Sequence, residues 1–467
     1  MLDIAEKILK QAEEKFDYVE VKAENLRKNT ILQKNGNIDM LHSSETSGLM
    51  LRTLKDGALS AIFVNDLENL NISEIISKAV KNSNASKKIL KNPIKLSEQE
   101  TNQDEYQVKE KIKIEDIGLE EKINELQKIE KLLLGTKLNL AVRYLEFDDE
   151  IREKFYVNSE GSRIQSRIPR LTMQYIIAFV SDGNSEQRML QLGGSGGWEI
   201  YKSWNIEKKI VEEAMMLPKI LNAPKPPKGK TFIVLSPELS GIACHENCGH
   251  PYEADRIIGR EAAQAGKSFI QRTMLGTRIG NEIVSVADDP TVPNSYGYFK
   301  YDDEGLKTRR KLLIKDGIIN EFLHNRETAA EFGIKSNASS RSSRWSLEPI
   351  LRMSNTFIVP GEYKFDELID VKEGIYIKSY MQWNIDDKRF NQRYVGLESY
   401  LIKNGSLEGL VRWPVIEITT PAFYESVDAV GNDLGFVAGM CGKSEPMQGI
   451  PVWFGGPHIR LKEVRLG

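Results

Sequence analysis

The run Ala223-Pro224-Lys225-Pro226-Pro227-Lys228-Gly229-Lys230 constrains the fold more than any other stretch of the chain. Its three prolines lack a backbone N–H and fix φ, so the run fits neither a helix interior nor a central strand. A chain of 467 residues is also too long for one ordinary core. Together these facts place a boundary here, between an N-terminal α/β domain over 1–222 and a C-terminal β-rich domain over 223–467. Directly after the run, Thr231 to Leu235 reads as a buried strand. Ser236 then offers a helix N-cap and Pro237 a first helical residue.

The N-terminal half opens with Leu2, Ile4, Ala5, Ile8, Leu9 and Ala12 at helical spacing. From Tyr18 to Glu24, Val19, Val21 and Ala23 alternate with Glu20, Lys22 and Glu24, which predicts a half-buried strand. Asn35-Gly36 and Asp56-Gly57 read as hairpin turns, and a second helix is expected over Asp66 to Lys81. Residues 86–115 are dense in Lys, Glu, Gln and Asn and read as a solvated linker or long connection. A helix over Leu119 to Leu134 follows, then strands at Asn139 to Phe147, Glu153 to Val157 and Leu171 to Val180. Gly193-Gly194-Ser195-Gly196-Gly197 reads as a flexible loop, not a phosphate loop, because no Lys-Ser/Thr follows it. Beyond 230, Leu312 to Gly317 and Leu401 to Gly405 are two similar hairpin arms. The expected class is α+β: a mixed sheet with helices first, then a large antiparallel sheet or barrel-like core with one active-site helix.

Composition removes several function classes. Apolar content of 40% and charged content of 28% are those of a soluble globular protein. A net charge of −3 gives no reason to expect nucleic acid or membrane as a partner. Met1 to Phe16 has no continuous apolar core, so it is no signal peptide, and the apolar stretch at Ile176 to Val180 is far too short to span a bilayer. Three cysteines cannot all pair within one chain, which fits a reduced, cytoplasmic protein.

The chemistry concentrates in His245-Glu246-Asn247-Cys248-Gly249-His250, which holds two of the five histidines. Cys441 stands alone in a late glycine-rich stretch. Two imidazoles, a thiolate and a neighbouring carboxylate are the parts of a catalytic zinc site, with a water in the fourth position. The spacing departs from H-E-x-x-H, where the histidines sit at i and i+4. Here they are at i and i+5, roughly 140° apart on an ideal α-helix. A π-type turn, or a helix end at Gly249, would let both reach one ion. Two helix-end histidines making ordinary hydrogen bonds is the competing reading. A closed structural site built from Cys244, His245, Cys248 and His250 fits poorly, because adjacent side chains on a helix diverge by roughly 100°. No G-x-S-x-G elbow supports a serine hydrolase.

The chain resembles the TldD/PmbA family, in its metal-bearing TldD-like branch. The resemblance rests on the 245–250 run followed by Glu253-x-Asp255, on Asp288-Asp289-Pro290-Thr291, Asp302-Asp303-Glu304-Gly305, Arg352-Met353-Ser354-Asn355-Thr356 and Cys441-Gly442-Lys443. Asp17 to Val21 and Gly48 to Arg52 carry it into the N-terminal half. It implies a zinc metalloprotease acting on peptides or unstructured polypeptide, working as a homodimer or paired with a PmbA-like chain that lacks the metal motif. It further implies one zinc per chain held by His245, His250 and Cys441, with Glu246 as general base. A non-catalytic, peptide-presenting subunit is the alternative. Glu253 and Asp255 either orient the imidazoles or are helix-end charges in water. Arg352 to Thr356 reads as a strand, and the resemblance puts Arg352 and Asn355 near a peptide groove. Arg341 and Arg344 read as surface arginines rather than holders of a substrate carboxylate. Cys244 and Cys248 lie outside the family pattern and read as small buried residues; His458 reads as a solvated side chain rather than a transition-state donor.

Overall fold

The computed structural model describes residues 1–261 and 266–467. Its N-terminal half is one seven-stranded sheet. The strands are β1 (Tyr18–Lys34), β2 (Asn37–Lys55), β3 (Ala58–Val64), β4 (Gln103–Gln107), β5 (Leu140–Asn158), β6 (Arg163–Ser181) and β7 (Asn184–Ser195), ordered β3-β2-β1-β5-β6-β4 with β7 also on β6. Both predicted Asx-Gly turns form, with left-handed φ at Asn35, Gly36, Asp56 and Gly57. Helices α1 (Leu2–Ala12) and α2 (Ile72–Lys87) cover one end of the sheet, and α3 (Leu119–Gly135), α4 (Trp198–Ser203) and α5 (Ile206–Leu221) the other.

Several sequence expectations shift. The second helix starts later than expected, because Asn71 caps it by accepting from the Glu74 N–H at 3.1 Å. The polar stretch over 86–115 contains strand β4, which joins the edge of β6 in parallel. Its pairing needs only backbone, so no apolar pattern announces it. Gly193 to Ser195 are ladder residues of β7, paired with Thr172 to Arg170, not a loop.

The strand from Tyr18 is not half-buried. Glu20, Lys22 and Glu24 are as inaccessible as the apolar residues between them. Their face is covered by the C-terminal half, which answers charge with charge. Arg52 Nη1 donates to Glu20 and to Glu304, both at 3.0 Å. Lys22 and Lys154 converge on Asp303 at 3.5 and 2.6 Å. Tyr156 donates its hydroxyl to the Glu304 carbonyl at 2.9 Å.

Residues 223–228 carry no helix or strand, and β8 (Gly229–Leu235) follows. In the C-terminal half, β8 lies at the centre of a nine-stranded sheet, antiparallel to Ile459–Leu466 and parallel to Glu373–Ile377. A six-stranded sheet faces it, with Val286–Asp288, Asn355–Ile358 and Gln448–Gly456 as consecutive inner strands and Gly435–Lys443 at its edge. Both hairpin arms form, turning at Asp316-Gly317 and Asn404-Gly405. The sheets are mostly antiparallel, and neither closes into a barrel among the described residues.

Helix α6 (Pro237–Cys244) fills the space between the two sheets and shares their core. Ser236 caps it, with Pro237 at its first turn, as the sequence requires. It crosses the strand Gln448–Gly456 at glycine on glycine: a Cβ on Gly241 would stand 2.7 Å from the Gly455 backbone. No described helix is long and apolar enough to cross a membrane.

The buried charge seam generates a stability prediction. Arg52→Met leaves Glu20 and Glu304 buried without their shared partner. Removing one member of such a cluster costs about 3–5 kcal/mol. Equilibrium denaturation should therefore show an unfolding midpoint well below that of the wild type; an unchanged midpoint contradicts this account of the seam.

Candidate metal centre

Directly after α6, His245–Gly249 forms a π-turn. The His250 N–H bonds to the His245 carbonyl at 3.2 Å, an i→i+5 contact. The widened turn removes the angular mismatch of the i, i+5 spacing, and the two imidazoles meet with ring centroids 4.9 Å apart. Gly249 makes this possible, because a Cβ there would lie 2.5 Å from the Met353 sulfur. Asn247 points into the core, where it accepts from the Tyr424 hydroxyl.

Cys441 arrives from the strand Gly435–Lys443. Its Sγ is 3.4 Å from His250 Nε2. The donor atoms of His245, His250 and Cys441 all lie within 4.8 Å of one another, and all three residues are buried. Burial alone would push the Cys441 thiol up; His250 and Arg352 outweigh it and bring the pKa down to about 7. Burial lowers the pKa of His245 and favours its neutral ring, despite Glu246 beside it. His245 Nδ1 is buried and makes no hydrogen bond. A neutral imidazole and an acidified thiol are the forms a zinc ion takes as ligands. Two nitrogens and one sulfur, converging and deeply buried, fit zinc.

Glu246 opens into the same cleft, a space of about 320 Å³. One oxygen accepts from Trp383 Nε1 at 3.2 Å and the other from Arg389 at 2.7 Å. Burial raises its pKa, but His250, Arg389 and His245 outweigh that, so the carboxyl sits below its ordinary value and is ionised at neutral pH. Trp383 and Arg389 were invisible to sequence reading. They come from the hairpin Tyr380–Ile385 and Asn391–Gly396, with no spacing that ties them to the motif. The opposite wall is N-terminal: Gln174 on β6, and Met189 to Gln191 on β7.

Glu253 faces His250 Nδ1 at 3.4 Å and binds Arg256 at 2.6 Å and Lys443 at 3.2 Å. Burial would raise its pKa, yet Lys443 and Arg256 hold it well below the carboxylate range. Glu253 thereby holds the His250 ring by Nδ1, with Nε2 facing Cys441. Asp255 touches neither imidazole and pairs with Lys443 at 2.7 Å.

Arg352 and Asn355 do not line the cleft. Arg352 lies just before the strand rather than in it, and donates to the carbonyls of Cys441 and, at 2.7 Å, Gln448. It thereby fixes the strand that carries the thiol. Asn355 brackets Ser295, Gly297 and Trp453 from behind. Cys244 and Cys248 are free, buried members of the core, with thiols that burial pushes far up. His458 is half-buried and does not line the cleft; it bridges Tyr376 at 3.0 Å and Asp433 at 2.7 Å. Arg341 is buried, not on the surface.

The fold is an α+β scaffold of three large sheets that brings a candidate metal-donor set together from an irregular helix and a neighbouring strand. Models of the PmbA/TldA metallopeptidase match the chain in three parts: domain 1 at residues 19–83, the central domain at 112–217 and the C-terminal domain at 228–467. A protein named metalloprotease from Methanocaldococcus jannaschii is 32% identical over 447 residues, covering 95% of this chain and 96% of that protein. A protein named zinc metalloprotease TldD homolog from Saccharolobus solfataricus is 26% identical over 350 residues, 74% of this chain and 76% of its own length. The crystal structure of TldE from Thermococcus kodakarensis shares the fold, with a TM-score of 0.78 at 17% identity over 99% of this chain and 100% of that one. The chain belongs to the PmbA/TldA metallopeptidase family.

Cys441 should be the one reactive thiol of metal-stripped protein. Alkylation by iodoacetamide should rise with pH through a midpoint near 7, as the thiolate forms, while Cys244 and Cys248 stay unlabelled. In His250→Ala the midpoint should climb toward the ordinary thiol value of about 8.5. Peptide mapping by mass spectrometry checks both; equal labelling of all three cysteines contradicts the assignment.

Proposed function

We propose that the protein is a zinc-dependent peptide hydrolase with His245, His250 and Cys441 as the zinc ligands and Glu246 as general base. The observation that carries this reading is the π-turn, which converts an unsuitable i, i+5 spacing into converging donors beside an ionised carboxylate. Bound zinc would supply Lewis acidity and a water acidified toward neutrality. The chain's own groups do the rest. Glu246 accepts a proton from the attacking water and returns it to the leaving amine. Arg389 and Trp383 hold its carboxylate in one orientation, each through a separate oxygen. Glu253 fixes the His250 ring, and Arg352 fixes the backbone of Cys441. The cleft, about 320 Å³ and walled by both halves, is within the size range of small-ligand sites and suits a short stretch of peptide around the cleaved bond. The relatives' printed names support the same class. Pairing with a second copy, or with a PmbA-like chain that lacks the metal motif, belongs to this proposal.

The test combines elemental analysis with peptide cleavage, run alone and with any PmbA-like partner. Wild type should hold one zinc per chain. Glu246→Gln should keep the zinc and lose roughly 10²–10⁴-fold in hydrolysis. His245→Ala should lose metal and activity together. Wild-type cleavage by Glu246→Gln with zinc retained would remove Glu246 as the base. Inactivity of the wild type, with zinc bound and a partner present, would leave the peptide-presenting subunit as the function.

Arg389→Met should also retain zinc, because Arg389 touches the base and none of the donors. Freed from its clamp, Glu246 loses its alignment, and kcat should fall by up to about 10²-fold. Zinc content and steady-state kinetics on the same preparation check this; unchanged kcat would mean the clamp is structural only.

A further inference from the structure

One face of β6 leads from the metal cleft into a second cavity. Gln174 lines the cleft and an adjoining recess, and Thr172 lines that recess. Arg170 lines the recess and a deeper, small cavity of about 60 Å³, room for a carboxylate, whose floor continues along Ile168, Ser166 and Ile164. Alternate residues of one strand share one face, so these side chains form a continuous track. At about 3.3 Å per residue, Gln174 lies roughly 13 Å from Arg170 and 20 Å from Ile168. That is the span of four to six residues of extended peptide.

The deeper cavity is cationic. Lys22, Arg152, Lys154, Arg170 and Arg341 line it. Three carboxylates answer them. Asp303 takes both lysines, Glu150 takes Arg170 at 3.1 Å and Arg152 at 3.7 Å, and Glu24 takes Arg152 at 3.5 Å. Asp302 also lines the cavity; burial and then Glu304 raise its pKa, and its oxygens are taken by the backbone N–H groups of Glu304, Leu306 and Ser340. Arg341 makes no ion pair among the described residues. It donates only to the carbonyls of Met353 at 2.9 Å and Pro451 at 3.0 Å, over the ring of Phe299. Burial, then Arg170 and Arg352 beside it, depress its pKa, the mark of uncompensated positive charge. The Nε of Arg152 is buried without a hydrogen bond. Buried charge of one sign is costly unless it is paired; five cations here face four carboxyl groups, and Asp302 pairs with backbone N–H groups rather than with any of the cations. The intervening recess carries an excess of one carboxylate, with Glu146, Asp148 and Glu150 in its wall beside Lys28 and Arg170, and Lys28 paired with Asp148 at 3.2 Å.

We propose that this cavity binds a carboxylate of the polypeptide substrate, an acidic side chain or the C-terminus, four to six residues from the bond that is cleaved. The proposal rests on reading the protein as a peptide hydrolase. The acidic recess makes the selection positional: it repels an acid placed closer to the metal, and the cavity captures one placed further along. Arg341 provides the unpaired charge and is a specificity residue, remote from the reacting atoms.

The experiment scans a single Asp along an otherwise neutral, fluorescein-labelled peptide. Affinity is read by anisotropy on zinc-loaded Glu246→Gln, and cleavage is read in parallel on the wild type. Affinity should rise about 10-fold or more when the acid sits four to six residues from the cleaved bond, the scale of a charged hydrogen bond. In Arg341→Met the ratio of acidic to neutral affinity should collapse to about 1. Arg341 has no carboxylate to leave orphaned, and Lys154→Gln serves as second variant if that protein misfolds. Equal binding of acidic and neutral peptides, or none of either, overturns the proposal. So does a preference that survives both variants. Stabilisation by inorganic phosphate without any peptide preference would give the cavity to a free anion and also overturn it. An acid preference without wild-type cleavage would sink the hydrolase reading and leave the cavity assignment standing; cleavage without preference would do the reverse.

Discussion

Backbone-on-backbone contact between α6 and the strand Gln448–Gly456 fixes the rest of the site. At Gly241 and Gly455 neither residue carries a Cβ, so the helix approaches the six-stranded sheet more closely than side chains allow. The neighbouring strand of that sheet, Gly435–Lys443, bears Cys441. Close approach places the end of α6 over that strand, and the π-turn then swings both histidines onto the thiol. Gly249, seated against the Met353 sulfur, repeats the device one turn later. An irregular turn of this kind is uncommon outside functional sites, and the surrounding packing over-determines it.

Around the donors the protein has arranged an environment that biases Cys441 and His245 into their ligand forms. Burial penalises an ionised thiol and an ionised imidazole alike. Cys441 overcomes that penalty through His250 and Arg352, whereas His245 yields to it and stays neutral. Glu253, held ionised by Lys443 and Arg256, sets the orientation of His250. Lys443, two residues from the thiol, reaches both Glu253 and Asp255, so one lysine ties the donor strand to the donor turn. Glu246 is tuned separately: Arg389 lowers its basicity, while burial opposes that shift.

The second requirement is the buried seam between the halves. Glu20 and Lys22 on β1 meet Arg52, Asp303 and Glu304 away from water. A buried charge is tolerable only when its partners are complete, so the seam admits few alternative registers. That rigidity carries the β6–β7 edge over the metal donors, and it supplies Gln174 and Met189 as the far wall of the cleft. Neither half contains a complete cleft.

The sequence alone determined the local elements whose signals are short-range. Period-3.6 and period-2 patterns located α1, α3 and most of the first sheet. The Asx-Gly turns needed left-handed backbone that few other residues tolerate. Ser236-Pro237 started α6, and the 245–250 run nominated the donors. The tertiary structure decided the rest, because the deciding contacts join residues far apart in the chain. Strand β4 has no apolar pattern and exists only because β6 offers it an edge. The alternation at Tyr18 to Glu24 specified a two-faced strand, but only a second charged surface could bury its polar face. Arg389 and Trp383 reach Glu246 across roughly 140 positions, with nothing local to mark them. The i, i+5 spacing of His245 and His250 allowed either a metal site or two unrelated hydrogen-bonded rings. Packing against Met353 and Cys441 selected the π-turn, since the free energy that holds an irregular turn comes from the core around it and not from its own residues.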